Sequence, residues 1–240
     1  MYRMKKLIIG DIKNITRDSL LIVTVLAPIL LALFIKFFVP LVNSMLYEKM
    51  GFKLSPYYNI IMGTALMLIP MIIGCMAGFI LLEDKDENIL SYFEVTPLRK
   101  KGYLIYRLTS PIILSVFLSV FLFYVSNLIK INFIKIILII VIASMEAPII
   151  TLILGSIAEN RVEGLALSKL IGIFFALPII FSLVNIKYKW LLGFFPTYWI
   201  PKMLNENLYS SLDFVLYMMA AFLIHAIYIL VFGNKFIRER

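Results

Sequence analysis

Residues 59–82 contain no charged side chain. At 1.5 Å per residue such a run matches a bilayer core about 30 Å thick, and in hydrocarbon only a helix or a closed barrel satisfies its own backbone polar groups. Five further apolar runs repeat the pattern at 19–42, 108–129, 136–158, 170–186 and 214–233, of which 170–186 is barely long enough. With 62% hydrophobic and 15% charged residues, the chain reads as an all-α integral membrane protein with six transmembrane helices. Pro28 predicts a kink in the first span, and the stem of Lys36 can snorkel to the membrane boundary.

A formal charge of +9 raises nucleic acid as a partner. The basic residues, however, sit in short connections beside apolar runs and no nucleic-acid motif accompanies them, so they read as topology signals and lipid-headgroup contacts. With the N-terminus inside, fifteen Lys and Arg fall on the cytoplasmic side and seven lysines on the other. The positive-inside rule then places both termini and the segment 83–107 in the cytoplasm.

Residues 1–18 form a region of their own, ahead of the membrane domain 19–240. Met4, Ile8, Ile12 and Ile15 recur at helical spacing, with Arg3, Lys6, Lys13 and Arg17 opposite. This pattern predicts an amphipathic helix lying in the membrane interface. The apolar stretch that follows is too long for a signal-peptide core and lacks a small-residue cleavage site, so the segment is expected to stay on the protein.

The longest polar segment between apolar runs on the basic side is 83–107. It opens with Glu83, Asp84, Asp86 and Glu87, continues through Ile89, Leu90, Tyr92 and Phe93 to Thr96 and Pro97, and closes on Arg99, Lys100 and Lys101. Acids in a first turn suit the positive end of a helix dipole, and Ile89 and Phe93 share a face at i, i+4. Two readings stand: a short amphipathic cytoplasmic helix, or a solvated loop carrying a charge run.

The second unusual piece is 187–204, within which Trp190 to Pro201 is apolar, aromatic and twelve residues long. That length belongs to re-entrant or interfacial segments. It reads either as an aromatic belt at the outer boundary or as an extracellular re-entrant hairpin between the fifth and sixth spans, with Phe195, Tyr198 and Trp199 as candidate gate residues.

Glu146 is the sharpest single residue. A carboxylate in mid-span costs about 2.5–3.5 kcal/mol on insertion scales and therefore faces protein or water. Pro148, two residues later, adds a polar notch. Glu146 is a candidate for a translocation pathway, either contacting substrate or carrying protons; the alternative is a neutral acid bonded to a neighbouring helix. His225, the only histidine, is weighed mainly as a packing residue. Together with a single cysteine, Cys75, it leaves no metal cluster or disulfide framework to expect. No catalytic residue, cofactor site or phosphate-binding loop is legible, so any ATP and magnesium would be bound by another polypeptide. One intramembrane acid and no visible repeat argue against an ion-coupled carrier.

At this point the chain resembles a family. RDSLLIVTVLAPILLALF in the first span, EDKDENILSYFEVTPLRKKGYL in the cytoplasmic segment and EAPIITLILGSIAENRVEGLALSKL across 145–170 are similar to the type-two permease subunits of ATP-binding-cassette exporters, and more specifically to the fluoroquinolone-export permease group. The resemblance implies a permease without its own ATPase site, in the cell membrane of a prokaryote. It would pair with a second permease, identical or a sister subunit, and sit on two ATPase subunits. The family's coupling helix maps onto residues 86–96, making Asp86, Glu87, Ile89, Leu90 and Phe93 the expected ATPase contacts. Its extracellular re-entrant helices map onto 190–201. Glu146 and Glu163 match the group's motif without carrying an established role. Exported cargo would be a hydrophobic or amphipathic drug, peptide or lipid. The competing readings are a proton-coupled carrier or channel-like protein using Glu146, and a membrane anchor or assembly factor.

Overall fold

The computed structural model describes Thr16 and residues 19–89, 99–183, 189–204 and 211–238. The expected N-terminal interfacial helix therefore lies outside the described residues apart from Thr16, as do Leu90 and Phe93 of the expected coupling helix. Among the described residues every element is helical. Five helices are long and apolar enough to cross a membrane, at Ile22–Met50, Ser55–Asp86, Gly102–Ser126, Phe133–Ile157 and Leu212–Arg238.

Helix α1 covers Ser19–Met50 and contains Pro28 and Pro40. It ends where Gly51 adopts a φ of +65°, a conformation open to glycine at no steric cost. The Phe52 N–H then returns to the Leu46 carbonyl at 3.3 Å, and Asn43 Oδ1 accepts from the Leu54 N–H at 2.8 Å. After a short 3₁₀ turn at Ser55–Tyr57, α2 runs over Tyr58–Asp86. It is the axis of the bundle, packing on α1, on α3 (Arg99–Ser126) and most extensively on α5 (Glu146–Ile157). A helix apolar on all sides has no solvent face to offer and becomes the buried element; Leu66, Ile69, Ile73, Leu81 and Leu82 are fully buried.

The contact between α2 and α5 is made possible by small residues. A Cβ on Gly74 would meet the Ala147 carbonyl oxygen at 2.6 Å, and one on Gly78 would meet Leu154 at 2.5 Å. Thr151 Oγ1 donates at this seam, lying 2.9 Å from the Ala147 carbonyl and 3.1 Å from that of Gly74. Glycines four apart let helix backbones approach in a membrane, where van der Waals contact and interhelical hydrogen bonds drive association.

Helix α4 (Phe133–Ser144) is capped by Asn132, whose side chain accepts from the Ile134 N–H at 2.9 Å. It is separated from α5 by a break at Met145. Pro148 is the cause: it has no N–H to offer the Ser144 carbonyl, and its ring crowds that carbonyl. After Ala158, the Asn160 side chain accepts from the N–H groups of Val162 and Glu163 at 3.0 Å, and Glu163 accepts from the Glu159 N–H at 2.9 Å. This reciprocal arrangement starts α6 (Arg161–Leu183). Residues 170–183 of the expected fifth span lie in α6, and 184–186 lie outside the described residues. The opening turns of α6 carry Arg161, Glu163 and Lys169, and 170–183 is uncharged.

The segment after α6 is a string of tight turns, Lys189–Phe194 and Pro196–Tyr198, leading into the short α7 (Trp199–Leu204). Ile200, Met203 and Leu204 are buried, and α7 packs on α2, α4 and α8 (Ser211–Arg238). Gly63 of α2 lies so close that an added Cβ would meet Pro201 and Leu204 at 3.2 Å.

One sequence expectation is corrected. The acids Glu83 and Asp84 do not open a separate polar helix: α2 continues to Asp86, and α3 already begins at Arg99. The polar residues find partners on neighbouring helices, so they prolong α2 instead of ending it. Termination comes at Asn88, with a φ of 55°, a left-handed conformation that asparagine tolerates at a helix C-terminus.

Candidate functional site

The break at Met145 places Glu146 in the first turn of α5, with its side chain fully buried. From there Glu146, Ile149, Ile153 and Ile157 follow one another at spacings of three and four along one face of α5. With Leu170 and Phe175 of α6 and Tyr228 and Phe232 of α8, they wall a cavity of about 400 Å³. Phe195, Pro196 and Thr197, from the turn before α7, complete it. The cavity joins two positions that the sequence singled out separately, the buried acid and the aromatic segment. About 400 Å³ lies within the roughly 300–1,000 Å³ typical of small-molecule sites, and among the described residues the lining is apolar with one carboxylate, the mostly apolar composition common in such sites.

Neither oxygen of Glu146 has a hydrogen-bond partner among the described residues, and neither does His225 Nε2. His225 is itself fully buried, and its Nδ1 lies 2.7 Å from the Ala221 carbonyl. A carbonyl only accepts, so Nδ1 carries the hydrogen, and a neutral ring presents a lone pair at Nε2. That nitrogen faces Glu146 Oε1 at 3.9 Å, too far for a hydrogen bond. Sequence reasoning assigned His225 mainly to packing; its spacing from Tyr228 and Phe232 on α8, at i+3 and i+7, was the available signal.

The candidate gate residues divide. Phe195 lines the cavity, whereas Tyr198 and Trp199 join Tyr217 of α8 around Lys202. Its ammonium lies 4.2 Å from the Tyr217 ring centre, 5.1 Å from that of Tyr198 and 5.6 Å from that of Trp199. Trp199 Nε1 donates to the Gly193 carbonyl at 3.0 Å. This cation–π cluster fastens α7 to α8.

At the Asp86 end, a second polar group ties the helices together. Arg107 and Tyr103, one turn apart on α3, both donate to the Asp84 carboxylate, and Arg107 Nε donates to the Tyr103 hydroxyl at 3.0 Å. All three are buried. Lys85 Nζ donates to the Ala158 carbonyl at the end of α5 at 2.8 Å, where a cation suits the negative end of the helix dipole. Glu83 faces Arg161 of α6 at 3.9 Å. Thus three consecutive residues of α2 reach α3, α5 and α6. The expected ATPase contacts Asp86 and Glu87 are exposed just beyond this clamp, and Ile89 is half-buried. No group of His, Cys, Asp and Glu suited to a metal ion occurs among the described residues.

The sequence comparisons agree on one family. Two relatives from Mycobacterium tuberculosis, named fluoroquinolones export permease protein MT2760 (strain CDC 1551 / Oshkosh) and Rv2686c (strain ATCC 25618 / H37Rv), are each 27% identical over 196 residues. The match covers 80% of this chain and 78% of theirs. No solved structure matches the chain. The family model for Rv2686c-like fluoroquinolones export permease proteins matches residues 11–233, and the chain belongs to that family.

Proposed function

We propose that the chain is the membrane-spanning permease of an ATP-binding-cassette exporter, moving a hydrophobic or amphipathic compound out of a bacterial cell while a separate ATPase supplies the energy. One observation carries this reading beyond family membership. The cavity is apolar, of small-molecule size, and bordered by α5, α6 and α8 and by the aromatic turn expected at the outer boundary. With no phosphate-binding loop in the sequence, ATP belongs to a partner. In this reading α6 carries the fifth span, α8 the sixth, and both termini are cytoplasmic. Residues 187–204 re-enter the membrane from outside, and residues 1–18 lie in the interface. Two ATPases contact residues 86–96 of two permeases, this chain pairing with a copy of itself or with a sister subunit. The Glu83–Lys85 clamp would carry movement of that segment into α3, α5 and α6 together.

The test is export itself. Inside-out vesicles containing the chain and its ATPase should accumulate a fluorescent fluoroquinolone, the compound class for which the relatives are named, when ATP is added. Accumulation driven by a proton gradient without ATP would instead favour the carrier reading, for which the Glu146–His225 pair is the motivating observation.

A further inference from the structure

We propose that the cavity is a recognition site for protonated lipophilic amines, with Glu146 as counter-ion. This deepens the exporter reading, on which its transport role rests, by naming the chemical class of the cargo. Of the two buried polar groups at the contact between α5 and α8, Glu146 lines the cavity and His225 does not. Glu146 Oε1 and Oε2 and His225 Nε2 are completely buried, and none has a hydrogen-bond partner among the described residues. Oε1 and Nε2 stand 3.9 Å apart, too far to bond each other. A buried carboxylate without a partner is costly, and a cation that brings N–H donors supplies both the charge and the hydrogen bonds it lacks.

The remaining walls select the rest of the ligand. Two stripes face each other, Glu146, Ile149, Ile153 and Ile157 on α5 and Tyr228 and Phe232 on α8. The two α8 rings lie one turn apart with centres 6.1 Å from each other. Phe175 and Phe195 add aromatic surface from α6 and from the turn. Apolar and aromatic walls bind a flat hydrophobic body, while their ring faces also favour a cation. Among the described residues Glu146 is the only carboxylate in the lining and no Lys or Arg borders the cavity, so an anion finds no counter-charge there. In a low-dielectric wall this discrimination is much stronger than in water.

The experiment uses three fluorescent probes of nearly one shape: 2-naphthylmethylamine, a cation at neutral pH, 2-naphthalenemethanol, which is neutral, and 2-naphthoate, an anion. Binding is measured on the full chain in lipid nanodiscs. The amine should bind about tenfold more tightly than the alcohol, and the naphthoate least tightly. In Glu146→Gln the advantage of the amine over the alcohol should disappear while alcohol binding persists. On the unaltered protein, the amine should slow modification of Glu146 by a lipophilic carbodiimide, read by mass spectrometry, and the naphthoate should not. Equal binding of the three probes, an amine advantage that survives Glu146→Gln, or carbodiimide labelling indifferent to the amine would each overturn the assignment. Because binding needs no ATPase, a cation preference found in a chain that shows no ATP-linked export would uphold the cavity assignment and sink the exporter reading.

Discussion

Nε2 of His225 lies 3.9 Å from Oε1 of Glu146, across the contact between α8 and α5, with both side chains wholly enclosed. These two groups stand 79 residues apart in sequence, and neither bonds the other. If they serve one function at the cavity, their substitutions should not act independently. A double-mutant cycle with Glu146→Gln and His225→Gln, scored as ATP-driven export at equal membrane level, should give a coupling of about 0.5–3 kcal/mol. Simple additivity would separate the two residues functionally.

The Asp84–Arg107 pair should behave as a buried ion pair does. Arg107→Met alone leaves Asp84 as an uncompensated buried charge and should destabilise the protein by about 3–5 kcal/mol, whereas Asp84→Leu combined with Arg107→Met should cost much less. Thermal melting of the purified protein in detergent reports this. A double variant worse than either single one would show that the pair is held by something other than mutual neutralisation.

Two glycines on the α2–α5 seam should differ in sensitivity. A Cβ at Gly74 meets the backbone oxygen of Ala147, while at Gly78 it meets the side chain of Leu154, which can change rotamer. Gly74→Ala should therefore lower the melting temperature more than Gly78→Ala, with a cost in the range of about 1–3 kcal/mol for an overpacked contact. The opposite order would mean that the helices separate freely at Gly74.

Orientation follows from the lysine and arginine distribution and can be read by labelling. In a Cys75→Ser background, single cysteines at Lys53 and Lys189 should react with an impermeant thiol reagent on intact cells, and one at Lys101 should not. Outside labelling at 101 would invert the topology and remove residues 86–96 from the cytoplasm.

The apolar residues Ile89 and Phe93 should anchor a partner, and the acids beside them should steer it. Ile89→Ala with Phe93→Ala should weaken co-purification with the ATPase and uncouple ATP hydrolysis from export, each truncation costing about 1 kcal/mol or more. Asp86→Asn with Glu87→Gln should do less, and its effect should fade at high salt. An apolar pair without effect on either readout would make this segment an ordinary connection.

What the sequence determined by itself is whatever depends on a contiguous stretch. Charge-free length decided the helical membrane class, because hydrocarbon cannot satisfy an unpaired backbone group whatever surrounds it. Pro148 marked a polar notch beside Glu146, because its missing N–H acts within one turn; that the notch is a full break at Met145 came from the structure. The close approach of α2 and α5 at Gly74 and Gly78 came from the structure, since no reading of the sequence singled out those glycines. Tertiary structure alone decided the partners. Asp84 looked like the start of a polar helix until Arg107 and Tyr103, brought alongside from α3, supplied its charge balance and let α2 continue to Asp86. Phe195, Tyr198 and Trp199 looked like one aromatic group, yet the turn at Pro196 sends Phe195 to the Glu146 cavity and the other two to Lys202. The physical reason is range: backbone satisfaction and helix breaking are settled within a few residues, whereas the neutralisation of a buried charge depends on which distant side chain the fold carries to it.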